Sequence, residues 1–229
     1  MATTIQTIEL PKKYRALDTS GNNNHGQIYS GRALEFDGVT DCLAFTQTET
    51  LEECTAVAWV KAYAVDGGRM NIWSGGNGPS YFSINNDDFV VYIGDGWLTS
   101  AKTLEINTWY RVVFIFKKNA EEGGDYKLYI NGVEDTANTF PGEGVGTYTN
   151  GHFDGMGSLW TTQRFWNGAM TDMQVWNTSW SADDVTYDYL NPESLALNRG
   201  GTSLTESNLL RWYPMQDGHR GQQSYILDG

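Results

Sequence analysis

The sequence predicts an all-β fold: two antiparallel sheets packed as a jelly-roll sandwich, with one short helix near the C-terminal third. Three observations carry this. Short runs rich in Val, Ile, Tyr, Phe and Trp recur between clusters of Gly, Asn and Asp. The run WYRVVFIF at 109–116 is apolar on both faces, as a central strand covered from two sides requires. At Asn131 and Gly132 an alternating run stops at a pair suited to the two positive φ angles of a tight hairpin turn. A length of 229 residues suits one such domain. The 26 Gly, 9 Trp and 13 Tyr against 5 Pro favour strands and tight turns over helices.

In chain order, residues 1–17 read as an arm, Thr-rich and then Pro11, Lys12 and Lys13, with an extended stretch around 5–10. Asn22, Asn23 and Asn24 make a turn, and strands follow near 25–29, 32–37 and 41–46. TAVAWVK at 55–61 is a strand, and short strands at 70–74, 80–84, 89–93 and 97–100 form a meander. After the central strand, EEGG at 121–124 is a solvated turn before the hairpin at 125–134. The glycine-rich stretch 140–156 is expected to be a long irregular loop. RFWNGAMTDMQVWN at 164–177 supplies another strand. It leads to a helix that Ser181 can cap, with Asp184 at the capping-box position. The sandwich is therefore assigned to 18–190 and a tail to 191–229. In the tail, Leu210, Trp212 and Pro214 alternate with Arg211, Tyr213 and Met215. Pro214 has no N–H, so the strand ends or faces an edge there. Residues 208–214 are expected to close an edge of this chain's own sheet or of a neighbour's.

Four segments in order, DTSGNNNHG at 18–26, ALEFDGVTDCL at 33–43, the hairpin at 125–134 and the strand-to-helix run at 164–185, resemble the laminin-G-like, concanavalin A-like family of sandwiches. The tail segment LLRWYPMQDG at 209–218 resembles that family's opening strand, displaced here to the C-terminus. The resemblance implies a jelly-roll fold and says less about function, because one fold hosts many functions.

A net charge of −13 excludes a basic nucleic-acid-binding face and argues against anionic membranes. No segment is long enough to cross a bilayer, and residues 1–10 lack the basic start and apolar run of an export signal. Cys42 and Cys54 are expected as two buried thiols, with one bridge as the alternative. Sandwich hydrolases need two carboxylates at alternate positions of one strand, and no such run occurs. His25, His152 and His219 sit in turns, and no nucleophile motif accompanies them. The chain is accordingly expected to be non-catalytic.

Two sites are expected. Asp18, Asn23 and the backbone of His25 form a turn rich in hard oxygen ligands. The resemblance implies that Asp172 approaches it at a structural Ca2+; simple Asx turns are the alternative. Asp37 and Asp41 are weaker candidates, explained by their own turn. Among the aromatics, Trp59 and Trp109 are expected in the core. Trp73, Tyr81, Tyr92, Trp97, Trp160 and Trp166 border Gly-rich turns and could stack on sugar rings, with sandwich core as the alternative. The expected function is a recognition or adhesion module for a glycan or protein partner. With no export signal, it is expected on a virion surface, as a fibre, decoration or appendage contacting other virion proteins or its own copies. The alternative is a self-assembling shell or fibre subunit without ligand.

Overall fold

A computed structural model describes residues 5–6, 33–45, 51–65, 68–75, 80–93, 96–118, 125–135, 153–159, 161–192 and 194–215. The described strands are β1 (Ile5–Gln6), β2 (Ala33–Asp37), β3 (Leu43–Ala44), β4 (Glu53–Ala62), β5 (Arg69–Ser74), β6 (Ser80–Asn85) and β7 (Asp88–Ile93). They continue with β8 (Gly96–Thr103), β9 (Tyr110–Lys117), β10 (Asp125–Ile130), β11 (Val133–Glu134), β12 (Gly155–Met156), β13 (Asn167–Trp176) and β14 (Leu209–Tyr213). One α-helix, α1 (Ala182–Leu190), lies between β13 and β14. The strands form two antiparallel sheets. The eight-stranded sheet runs β1-β2-β13-β4-β9-β10-β11 with β14 also on β13; the six-stranded sheet runs β3-β12-β5-β6-β7-β8.

Alternation along β9 shows how the layers are built. Tyr110, Val112, Phe114 and Phe116 enter the core between the sheets, with Phe82, Ile84 and Phe89 of the six-stranded sheet. Val113 and Ile115 point the other way and meet Trp176, Trp180 and Val185 beneath α1. Every residue from Tyr110 to Phe116 is buried, so this strand is covered on both sides as its sequence predicts. The hairpin after β10 turns at Asn131 (φ 53°) and Gly132 (φ 78°). In β13, Gly168 lies so close to β4 that a Cβ there would sit 2.1 Å from the Lys61 carbonyl oxygen.

The helix starts as its sequence predicts. Ser181 Oγ accepts the Asp184 N–H at 3.2 Å, and the Asp184 carboxylate accepts the Ser181 N–H at 3.0 Å. Burial raises the Asp184 pKa, but hydrogen bonds from Ser181, Thr202 and Arg199 outweigh it and hold the carboxyl below its usual range. β14 pairs antiparallel with β13 of the same chain from Met173 to Trp176, on the edge that β2 occupies from Asn167 to Met170.

Several expectations differ from the structure. Gly155 and Met156, placed in the long loop by their glycine-rich surroundings, form β12 between β3 and β5. Trp59 and Trp109 are only half-buried. Trp59 points outward from β4 and stacks on Tyr189 of α1 at 6.0 Å, while Trp109 precedes β9 and lies 5.1 Å from the Lys61 ammonium. Cys42 and Cys54 are free thiols, as expected, but Cys42 is only half-buried; burial pushes the Cys54 thiol far above its usual range. The arm at 7–17, the strand at 25–29 and the loop at 140–152 lie outside the described residues.

Candidate functional site

The two sheets have very different outer faces. On the six-stranded sheet, cross-strand register places Asn71 beside Ser83, Ser74 beside Tyr81, Tyr81 beside Tyr92 and Ser83 beside Val90. Directly paired antiparallel residues share a face, so these residues form one surface. It is the outer one, because Tyr81 and Val90 belong to neither apolar cluster of the interior. The Tyr81 and Tyr92 rings stack at 4.8 Å with an interplanar angle of 15°.

Two guanidiniums gather at the Tyr81 ring. Arg69, at the start of β5, has its guanidinium carbon 5.0 Å from the ring centroid and donates from Nη1 to the Tyr81 hydroxyl. Arg164 lies 5.6 Å from the same centroid. It comes from the segment before β13, held in a left-handed conformation (φ 56°) while its carbonyl accepts the Asn71 N–H at 3.0 Å. Burial lowers the Arg69 pKa; Tyr81 opposes the shift and the Arg164 cation adds to it. Between Arg69 and Ser74 on β5 stands Asn71, fully buried, and neither its Oδ1 nor its Nδ2 has a hydrogen-bond partner.

Of the aromatics expected at a binding surface, Tyr81 and Tyr92 are brought together. Trp97 is opposite Tyr92 in the register of β8, and Trp160 lies outside the described residues. Trp73 and Trp166 are corrected: both are fully buried in the core between the sheets and present no ring to a ligand. Bordering a Gly-rich turn does not reveal which side of a sheet a residue faces. Arg69, Arg164 and Asn71 were missed. The available signal was parity: an Arg at 69 and a Tyr at 81 fall on one face once β5 and β6 are paired.

The outer face of the eight-stranded sheet is closed by α1 and holds a buried ion network. Arg111, fully buried, donates from Nε and Nη2 to Asp188 at 2.6 and 2.7 Å. Its Nη2 also lies 2.9 Å from Asp172 Oδ2, which accepts Gln174 Nε2 at 3.0 Å as well. Trp212 Nε1 of β14 donates to Asp172 Oδ1 at 2.7 Å. The Asp188 pKa is raised, chiefly by burial, against the pull of Arg111.

Both Asp172 oxygens thus accept N–H donors, and a cation already lies against the carboxylate. Asp172 alone of the expected Ca2+ ligands is described, and it is engaged on both oxygens. Among the described residues no group of three or more His, Cys, Asp or Glu could hold a metal. Asp18, Asn23 and His25 lie outside them. Asp37 closes its own turn, its Oδ1 accepting the N–H groups of Val39, Thr40 and Asp41 at 2.8, 2.8 and 3.0 Å, which hold its carboxyl far below the usual range. Asp41 accepts the Asp37 N–H in return at 3.1 Å.

Residues 36–186 match the family model of the concanavalin A-like lectin/glucanase superfamily. A search of curated proteins gave no match. Among solved structures, a Bacteroides ovatus protein assigned as carbohydrate-binding is similar at 17% identity and a TM-score of 0.61, over 86% of this chain and 55% of that one. A heptameric SAP-like pentraxin from Limulus polyphemus is similar at 16% identity and a TM-score of 0.52, over 68% of this chain and 80% of that one. Trypanosoma rangeli sialidase bound to the inhibitor DANA is similar at 16% identity and a TM-score of 0.51, over 71% of this chain and 28% of that one. The chain therefore spans about half of the first of these proteins and under a third of the sialidase.

The sialidase corrects one expectation. The missing pair of strand carboxylates led to a non-catalytic reading, yet this sandwich fold also occurs within the chain of an enzyme. A motif search for one hydrolase geometry does not separate this fold from enzymes.

Proposed function

We propose that this chain, which belongs to the concanavalin A-like lectin/glucanase superfamily, is a glycan-binding module whose site is the outer face of the six-stranded sheet. The observation that carries the reading is the stacked Tyr81–Tyr92 pair with two arginines at its edge, where Tyr92, Arg69 and Arg164 are half-buried. Half-buried Tyr92 offers an apolar surface with a polar tip. Arg69 and Arg164 add donors suited to sugar oxygens. The similarity to a Bacteroides ovatus protein assigned as carbohydrate-binding supports the same reading.

A glycan array followed by calorimetry tests it. The whole chain is expected to bind at least one oligosaccharide class, and Tyr92→Ala is expected to weaken that binding about tenfold or more with its melting temperature nearly kept. No binding across the array, or unchanged binding by Tyr92→Ala, sinks the proposal.

A further inference from the structure

We infer that the outer face of the eight-stranded sheet, in the part beyond α1, is an interaction surface for a second copy of this chain, joined by reciprocal Lys61–Glu35 ion pairs. Register defines the face. Glu35 of β2 pairs with Ala169 of β13, and Ala169 pairs with Lys61 of β4, so the three stand in one row on one side of the sheet. It is the outer side, because the adjacent residues Leu34, Phe36, Val60 and Ala62 belong to the core between the sheets. On this side α1 lies over Val57 and Val113, and its Tyr189 stacks on Trp59. One row further along β4, Lys61 and Glu35 are half-buried, with the small Ala169 buried between the two longer side chains.

The two charges of this row lack ionic partners among the described residues. The Lys61 side chain makes no hydrogen bond or ion pair with them; its ammonium rests 5.2 Å from the Tyr63 ring centroid and 5.1 Å from that of Trp109. Glu35 meets no cation among them. Its Oε1 accepts the Tyr63 hydroxyl at 2.6 Å, and Oε2 remains for a further donor. Two strand spacings separate the residues, roughly 10 Å at the backbone. In a two-fold interface residue i meets j and j meets i. An axis passing at Ala169 sets Lys61 of each copy against Glu35 of the other, so both charges are satisfied at once.

Apolar surface is the second, independent observation. Among the described residues the exposed large apolar side chains are Val39 (66%), Ile106 (49%), Val133 (70%) and Leu190 (63%). All four belong to segments that border this face. Val39 is in the turn after β2, where a Cβ on Gly38 would meet Asn167 at the start of β13. Ile106 precedes Asn107, whose N–H binds the Ala62 carbonyl at 2.7 Å. Val133 and Leu190 follow Gly132 and Tyr189, which meet each other beside Trp59. Exposed apolar groups gathered around half-buried aromatics mark a protein contact surface. Charge decides the occupant. An anionic partner would suit Lys61 and be repelled by Glu35, a cationic one the reverse, and a second copy suits both. Copies joined through this face carry their six-stranded sheets on the outside, so the surface is separate from the one assigned to sugar.

The test is sedimentation velocity on the full chain over a concentration series. The parent is expected to form a dimer that dissociates on dilution. Lys61→Glu and Glu35→Lys are each expected to weaken association about tenfold or more, because each sets like charges face to face twice in every dimer. Mixing the two variants in equal amounts is expected to restore the dimer, since every reversed charge then meets its opposite on the other variant. A folding defect in either variant would not be repaired by mixing. A parent that stays monomeric at every concentration overturns the inference, as do single variants that associate like the parent or a mixture that does not recover. A monomer whose oligosaccharide binding is lost in Lys61→Glu also overturns it and gives the face to a sugar instead.

Discussion

Each outer face of the sandwich carries an arginine beside an aromatic ring, and the two arginines do opposite things. Arg111 lies 5.7 Å from the Trp59 ring and Arg164 lies 5.6 Å from the Tyr81 ring. Arg111 is fully buried beneath α1 and gives its donors to Asp188 and Asp172. Arg164 is half-exposed and meets no carboxylate among the described residues. The residue type and the ring contact are shared, so neither decides the role. What differs is a cover. α1 and the short 3-10 helix Ala196–Asn198 bury Val57, Val113, Ile115 and Trp176 on one face, and the carboxylate of Asp188 arrives on that same helix. On the other face no helix among the described residues brings a carboxylate to Arg164, which rests on the Tyr81 ring.

The largest expected effect follows from removing the covered arginine. Arg111→Met leaves Asp172 and Asp188 buried without their cation. Breaking a buried ion pair from one side costs about 3–5 kcal/mol. Arg164→Ala removes a half-exposed side chain with no ion pair and should change stability by no more than about 0.5 kcal/mol. Urea unfolding of both variants measures the difference. Equal losses at the two positions would erase the distinction between the faces.

A smaller effect tests how the tail is tied down. Trp212→Phe keeps most of the ring on β14 and removes only the indole N–H. Asp172 Oδ1 then loses its 2.7 Å donor in a buried setting, at a cost of about 1–3 kcal/mol. The expected outcome is a lower urea midpoint with an unchanged slope. A midpoint equal to the parent's would mean that β14 is held by its ladder to β13 alone.

Much of the framework was legible because it is local. The Asn131–Gly132 turn, the capping box of Ser181 and Asp184, and the doubly covered β9 each follow from a few adjacent residues. The site was legible only in part, because its residues come from four separate segments. Tyr81 and Tyr92 could be read as candidates from composition and turns. That Trp73 faces inward while Ser74 faces out depends on the irregular pairing between Asn71 and Trp73, which shifts the parity of β5 and has no signature in the residue types. The surroundings of Asp172 were hidden for a related reason. Its partner Arg111 lies 61 residues away on β9 and Trp212 lies 40 residues away on β14, and only the sheet order brings them to it. Coverage by α1 was equally hidden. A helix can be predicted from its cap, but not the sheet face on which it lands.

The smallest expected effect on stability discriminates best between the faces. Asn71 is fully buried and unpartnered on the outer face of the six-stranded sheet, whereas Gln174, equally hidden beside α1, donates to Asp172 and accepts from Trp176 Nε1 at 2.9 Å. An amide with its bonds made contributes to stability; one without them costs about 1–3 kcal/mol of unrepaid desolvation. Asn71→Leu replaces that amide with an apolar group of similar shape. Its melting temperature should equal or exceed the parent's, while sugar binding falls. This pattern belongs to a residue retained for a ligand at the expense of the fold. Gln174→Leu should do the reverse, lowering stability and leaving binding intact. Thermal unfolding and calorimetry on the two variants check both halves. Should Asn71→Leu lose stability as Gln174→Leu does, Asn71 is a structural residue, and the outer face of the six-stranded sheet keeps only its arginines and tyrosines as claims to a ligand.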